Sequence, residues 1–335
     1  MSTTTGPGPG PTAETSPTAS AKQGLTGRLT GLDWRRYIIY IGFVVVFVVF
    51  AVTLNGQGFL SSNNVLNIFR QAATISVIAV GMTFVIACAE IDLSVGSVAG
   101  LASVCTAMAI PNWGIAGGVA AGLAVGLVVG SINGALVSML NIPSFLVTLG
   151  MMGIAAGVAQ WITASAPKPI LDDTYNLIFG GGNFGPIPGL LVWMGIFVAL
   201  GAVVMAKTRF GRQVLATGGN RVAAEFSGVR TRRIKFQVLL LASVVASVAG
   251  MLYAGRLQSG RFQWGAGDEL SAIAAVILGG TSLFGGSGAV VGTLFGSLMI
   301  SLINNGLILA GLDTSQQQVV RGAIIILAVA LARRK

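Results

Sequence analysis

The stretch AEIDLSVGSVAG, residues 89–100, sets two carboxylates, Glu90 and Asp92, two positions apart in one of the most apolar regions of the chain. A carboxylate at the centre of a membrane helix costs roughly 2.5 to 3.5 kcal/mol, and intramembrane acids commonly serve as proton or sodium relays. A second use is local. Asp92 or Ser94 would cap a helix that begins near residue 93, satisfying its free amides at the positive end of the helix dipole. Glu90 has no capping use, which leaves gating, partner contact or exposure to cytoplasmic water. No buried base is expected to face either acid.

Other chemistry is sparse. The chain has no histidine, and its two cysteines, Cys88 and Cys105, fall inside apolar runs, so zinc and thiol chemistry are not expected. No nucleophile stands beside a plausible base, which argues against an enzyme. No G-x-x-x-x-G-K-[ST] stretch is present to cradle phosphates, so an ATP-driven process would take its ATPase, with ATP and magnesium, from another chain. What remains is neutral polarity at or near membrane depth: Asn133, Asn141, Ser144, Gln160, Asn304 and Asn305. Their donors and acceptors suit a neutral, hydroxylated solute. They equally suit interhelical hydrogen bonds, worth about 0.6 kcal/mol on average. Glu90, Asp92, Ser94, Asn133, Asn141, Ser144, Asn304 and Asn305 are the candidate substrate-path residues.

The elements that must position these groups are membrane helices. Of 335 residues, 54% are hydrophobic and 9% charged, against about 25% charged in a soluble domain. Ten membrane-embedded segments are expected, near 36–54, 65–88, 93–110, 114–139, 144–163, 190–206, 236–256, 269–284, 288–309 and 317–332. Residues 1–33, rich in Thr, Ser, Pro and Gly, read as a disordered cytoplasmic tail without signal-peptide character; 34–335 form the transmembrane domain. Of the 20 basic residues, 15 fall in the tail and first helix start, in the run 207–235 and at the C-terminus. The positive-inside rule then places both termini in the cytoplasm, and the net charge of +10 reports orientation, not nucleic-acid binding. The 48 glycines suit close helix packing in a membrane. Six of them interrupt AVILGGTSLFGGSGAVVGT, 275–293, and a second break falls at 89–94. Broken segments are tolerated at membrane depth only where they line a cavity or are buried in protein. The expected fold is an all-α polytopic membrane protein of about ten transmembrane helices with two broken or re-entrant segments.

The loop KTRFGRQVLATGGNRVAAEFSGVRTRRIKFQ, 207–237, contains a short helix with Asn220 as its N-cap and Gly228 as its stop. It is either a docking element for another protein or a solvated basic loop that fixes orientation.

Four ordered motifs resemble one family: GMTFVIACAEIDLSVGSVAGL at 81–101, GSINGALVSMLNIPSFLVTLGMM at 130–152, ATGGNRVAAEFSGV at 216–229, and the stretch from Glu269 to Leu307. The chain is similar, over about 36–333, to the permease subunits of bacterial ATP-binding-cassette (ABC) sugar importers of the ribose, xylose and galactose type. That resemblance implies a bacterial inner-membrane protein that pairs with a second permease copy, most simply as a homodimer. It also implies two cytoplasmic ABC ATPase subunits as partners, an extracytoplasmic sugar-binding protein, and surrounding lipid. It assigns ATPase coupling to Gly218, Gly219, Asn220, Ala223, Ala224, Ser227 and Gly228. Val222 stands where many importers carry Glu, Ser271 where ribose-type relatives often carry Asp, and Ser287 where a Lys is common, so the exact sugar stays open. Two alternatives remain: an ABC permease for another solute, such as a branched-chain amino acid, nucleoside, inositol or signalling sugar, and an ion-coupled secondary transporter.

Overall fold

The computed structural model describes residues 1–3, 34–185 and 187–332. Most of the expected tail and the terminal basic cluster 333–335 lie outside the described residues. The chain divides into Met1–Tyr37 and Ile38–Lys335; the first helix begins in the first unit, and the second holds the rest of it and all the later helices.

Long apolar runs become helices because a backbone in lipid must satisfy its own polar groups. The long helices are α1 (Trp34–Thr53), α2 (Ser62–Ala87), α3 (Val95–Ser138), α4 (Ser144–Thr163) and α5 (Gly189–Lys207). Two short helices follow, α6 (Arg209–Gly219) and α7 (Arg221–Phe226). The chain then forms α8 (Thr231–Arg256), α9 (Asp268–Leu278), α10 (Val290–Leu309) and α11 (Thr314–Ala332). Six of these, α2, α3, α4, α5, α8 and α10, are long and apolar enough to cross a bilayer. Two-residue strands decorate the loops: β1 (Lys168–Pro169) pairs antiparallel with β4 (Ser259–Gly260), and β2 (Asn183–Phe184) with β3 (Ile187–Pro188).

Helix α3 is a hairpin. Gly114 takes φ 64° and ψ −172°, a conformation open to glycine and strained for other residues, and Pro111 sits within one turn of it. The chain reverses there. A methyl group added at Gly118 would lie 2.5 Å from Ile110 Cγ1, and one at Gly122 2.4 Å from Thr106 Oγ1. This matches the two expected segments, 93–110 and 114–139, with the bend at Gly114.

The returning arm of α3 carries Gly122, Gly126, Gly130 and Gly134, one per turn, against α8. Added methyls at Gly126 and Gly130 would each stand 2.8 Å from an α8 backbone carbon, of Val244 and Leu240 respectively. The absent side chains therefore set the distance between the two helices, the use small residues have in membrane bundles. Helices α2 and α8 are the central elements, most of their apolar length being buried.

After α8 the chain does not cross directly. Residues 259–267 run back along the first arm of α3, where Gly100 lets the carbonyls of Phe262 and Trp264 approach. Helix α9 then spans 11 residues, about 16 Å at ~1.5 Å per residue, half of a bilayer core. It was expected to continue to 284. It stops at Leu278 because Gly280 turns to φ 90°, and Gly285 and Gly286 take φ 82° and 78°. The break at 279–289 returns to the bundle as α10, which is tied to α2 by Thr83 and Thr293, their hydroxyls 2.9 Å apart.

Candidate functional site

The bend at 88–94 lies between α2 and α3, at the same end of the bundle as α6. Helix α2 closes on Ala89, a non-glycine residue at φ 61°. Its N–H donates to the Ile86 carbonyl and the Glu90 N–H to the Val85 carbonyl, the pairing of a left-handed helix terminus. The chain then leans on α4: Ile91 N–H donates to Ser144 Oγ at 3.1 Å, and Leu93 N–H to Thr148 Oγ1 at 3.0 Å.

Asp92 is fully buried. Its Oδ1 accepts the Ser94 N–H at 2.8 Å and the Ser94 hydroxyl at 2.6 Å. Ser94 Oγ in turn accepts from Asn133 Nδ2 at 3.0 Å. Asp92 Oδ2 and Asn133 Oδ1 are buried without a hydrogen-bond partner. Asp92 thus satisfies the amide just ahead of the helix, as an Asp side chain does in a turn. Ser94 occupies the N-cap position but makes no capping bond with its own side chain; it joins Asp92 to the far arm of the hairpin. Burial pushes the Asp92 carboxyl up to about 6, against the opposing pull of the Ser94 hydrogen bonds.

Glu90 corrects the expectation that no buried base faces the acids. Its carboxylate forms an ion pair with Lys235 Nζ, the two side chains 8% and 18% exposed. Lys235 reads in sequence as part of a polar loop. The structure instead starts α8 at Thr231, which carries Lys235 into the bundle wall.

The remaining path candidates are spread out. Ser144 is spent on Ile91, while Asn141 is exposed at φ 54°. Asn305 exchanges two hydrogen bonds with Asn64, at 3.0 and 2.8 Å, near the start of α2 and at the opposite end of the bundle from Asn133. Asn304 is half-buried and Gln160 exposed. A further polar group was missed in sequence. The Tyr253 hydroxyl donates to Asp268 Oδ2 at 2.5 Å, fixing the start of α9 against α8. Nothing in the spacing of residues 253 and 268 signals this pair, since the successive turns of 261–268 bring them together.

The segment 207–235 is a built element. Thr208 caps α6 by accepting the Gly211 N–H at 3.2 Å, and Asn220 caps α7 by accepting the Ala223 N–H at 3.0 Å, as the sequence indicates. Gly228 closes α7 at φ 81°, with the Val229 N–H donating to the Ala224 carbonyl. Ser227 Oγ donates to the Ala223 carbonyl at 2.9 Å, and Ala224 is buried. Gly218 packs on the α2 terminus: an added methyl would lie 2.0 Å from the Ala87 carbonyl oxygen and 2.9 Å from Gly286 N. Gly219 lies beside Gly286. Gly218, Gly219 and Ala224 hold the element to the bundle, Ala223, Ser227 and Gly228 are exposed, and Val222 and Phe226 stand out at 61% and 88% exposed. Glu225 accepts from the Thr231 hydroxyl at 2.5 Å and from Arg221 Nε at 3.0 Å, and these two bonds hold its carboxyl below the usual range.

A multi-pass helical membrane protein with two capped short helices between its long ones is the class this geometry defines. Residues 64–329 match the family described as branched-chain amino acid transport system / permease component, and the chain belongs to that family. It is 43% identical over 297 residues to the probable ABC transporter permease protein YphD of Escherichia coli (strain K12), covering 88% of this chain and 89% of that protein. It is 40% identical over 298 residues to the ribose import permease protein RbsC of Bacillus subtilis (strain 168), covering 88% and 92%. With the xylose transport system permease protein XylH of Haemophilus influenzae it shares 32% over 364 residues, covering 90% and 97%. The chain is accordingly an ABC-type permease of the inner membrane.

Proposed function

We propose that this chain forms the translocation path of an ABC importer for a monosaccharide or related polyol, with ten membrane segments and both termini cytoplasmic. The hairpin α3 contributes two of those segments and the half-helix α9 one. The observation that carries the reading is the docking element. Two apolar side chains, Val222 and Phe226, stand exposed one turn apart on a helix whose Ala224 is buried, in a run that bears eight basic residues. An exposed aromatic anchor, Phe226, beside Val222 within a charged rim suits a protein partner. The partner is a cytoplasmic ATPase holding ATP and magnesium, which rocks two permease copies between outward- and inward-open states.

The sugar assignment is supported by relatives named for ribose and xylose import. Ser94, Asn133, Ser144 and Asn305, whose bonds are internal, brace the path walls, and Asn141 and Asn304 remain to meet hydroxyl groups. The open face of α4 fits a second copy or the path itself. Gly150, Gly153 and Gly157 have empty space around them there, and Gln160 is exposed on the same side.

The test is uptake by proteoliposomes that hold the permease, its ATPase and its binding protein. ATP-dependent uptake of a pentose or hexose that survives a protonophore is expected. Uptake abolished by the protonophore with ATP maintained would indicate an ion-coupled carrier. The family description keeps a second cargo in view, so leucine is included, and selective leucine uptake would replace the sugar reading.

A further inference from the structure

Three features converge on the bend 88–94. From the docking side, Glu225 on α7 accepts the Thr231 hydroxyl at the start of α8. One helical turn further on, Lys235 reaches the bend as the ion-pair partner of Glu90. From the bundle side, the bend is bonded to the first turns of α4 through Ser144 and Thr148, and the Thr148 hydroxyl also approaches the Ile91 carbonyl at 3.3 Å. Beneath it, Gly286 N–H donates to the Ala87 carbonyl at 3.0 Å, so the glycine-broken stretch between α9 and α10 rests on the same turn. Among the described residues this short segment touches the start of α8, to which α7 is bonded, together with α4 and the glycine-broken stretch.

We propose that the Glu90–Lys235 ion pair is a positioning contact that couples movement of the docking helix to the 88–94 bend, and through Ser144 and Thr148 to α4. The physical reason is directionality. Lys235 lies one turn from the residue that holds Glu225, so a shift of α7 moves its ammonium group. A buried carboxylate cannot be left behind without an unpaired charge, so Glu90 follows. The two backbone N–H bonds to α4 then carry the displacement, because the bend is too short to absorb it. Coupling through a contiguous network of this kind needs direct evidence of interaction between its members. The proposal rests on the ATPase-coupling reading of α7.

The experiment uses the complete complex in liposomes and reads ATP hydrolysis with and without solute-loaded binding protein. If the unaltered complex shows no stimulation, the coupling reading of α7 fails and takes the ion-pair proposal with it. If it is stimulated, Glu90→Gln and Lys235→Gln are each expected to assemble at normal yield, keep basal hydrolysis and lose stimulation about tenfold. The double variant is then expected to lose no more than either single one, the signature of a shared interaction. Stimulation within twofold of normal in either single variant overturns the proposal, as do losses that multiply in the double variant. Should a single variant fail to assemble, the exchanged pair E90K/K235E decides. Recovery of both assembly and stimulation supports coupling through the pair. Assembly without stimulation, or no assembly, overturns it.

Discussion

Asn133 donates its side-chain N–H to the Ser94 hydroxyl at 3.0 Å although the two residues are 39 positions apart. That bond closes the open end of the α3 hairpin, with Gly114 at the other end, and it ends a chain that begins at the buried Asp92.

Replacing Asp92 by Asn retains an acceptor for both Ser94 bonds and removes a buried charge. D92N is expected to fold and transport nearly as the parent does, whereas D92L, which loses the acceptor, should be less stable by about 1 kcal/mol or more. The pH dependence has a definite sign. The folded carboxyl, near 6, lies above its ordinary value of 3.8, so the ionised form is the costly one and stability falls as pH rises from about 4 through 6. Melting curves of the solubilised protein should therefore show D92N gaining on the parent between pH 5 and pH 7.5. A gap independent of pH would contradict this.

Asn64 and Asn305 satisfy one another, which gives a second prediction. N305L leaves Asn64 Oδ1 half-buried without its donor, while Nδ2 keeps the Phe59 carbonyl at 2.9 Å, and should cost about 1 kcal/mol. The double variant N64L/N305L should recover only part of that loss, because the buried Phe59 carbonyl then loses the Asn64 donor. Thermal unfolding of the two single variants and the double reads the cycle directly.

Two glycines of the docking segment separate by mechanism. A side chain at Gly218 meets the Ala87 carbonyl and the Gly286 amide, both backbone, so G218V is expected to prevent stable insertion or assembly. Gly228 has open space around it and is restricted only by φ 81°, so G228A should fold at a cost of about 1 kcal/mol. Loss of ATPase stimulation in a well-folded Gly228 variant with a bulky side chain would then report the partner surface. Membrane yield measured beside stimulation distinguishes the two cases.

Phe226 is 88% exposed, so its truncation removes little internal packing. F226A is expected to leave insertion and melting unchanged and to weaken association with the ATPase by at least tenfold, as loss of a central apolar anchor does. Co-purification of the subunits at graded salt checks it. Retained association would move the contact elsewhere on the basic run.

The sequence by itself determined the membrane class, because apolar runs longer than a bilayer core and a charge content of 9% leave no other solvent for the chain. It also determined the ends of local elements. The Asn220 cap, the Gly228 stop, the span of α4 and the break at 89–94 all depend on residues within a few positions of one another, so their signals are local. Tertiary structure decided the rest. The partner of Glu90 is 145 residues away in sequence, and Lys235 reads as loop until α8 is seen to begin at Thr231. The turns that join Tyr253 to Asp268, and the reciprocal amides of Asn64 and Asn305, are likewise fixed by helix packing. A hydrogen bond or ion pair between helices carries no periodicity in the sequence, since either member alone is only a polar residue in an apolar segment. It acquires meaning when the bundle brings its partner within 3 Å or so, and the glycines that allow that approach do not say which helix will come.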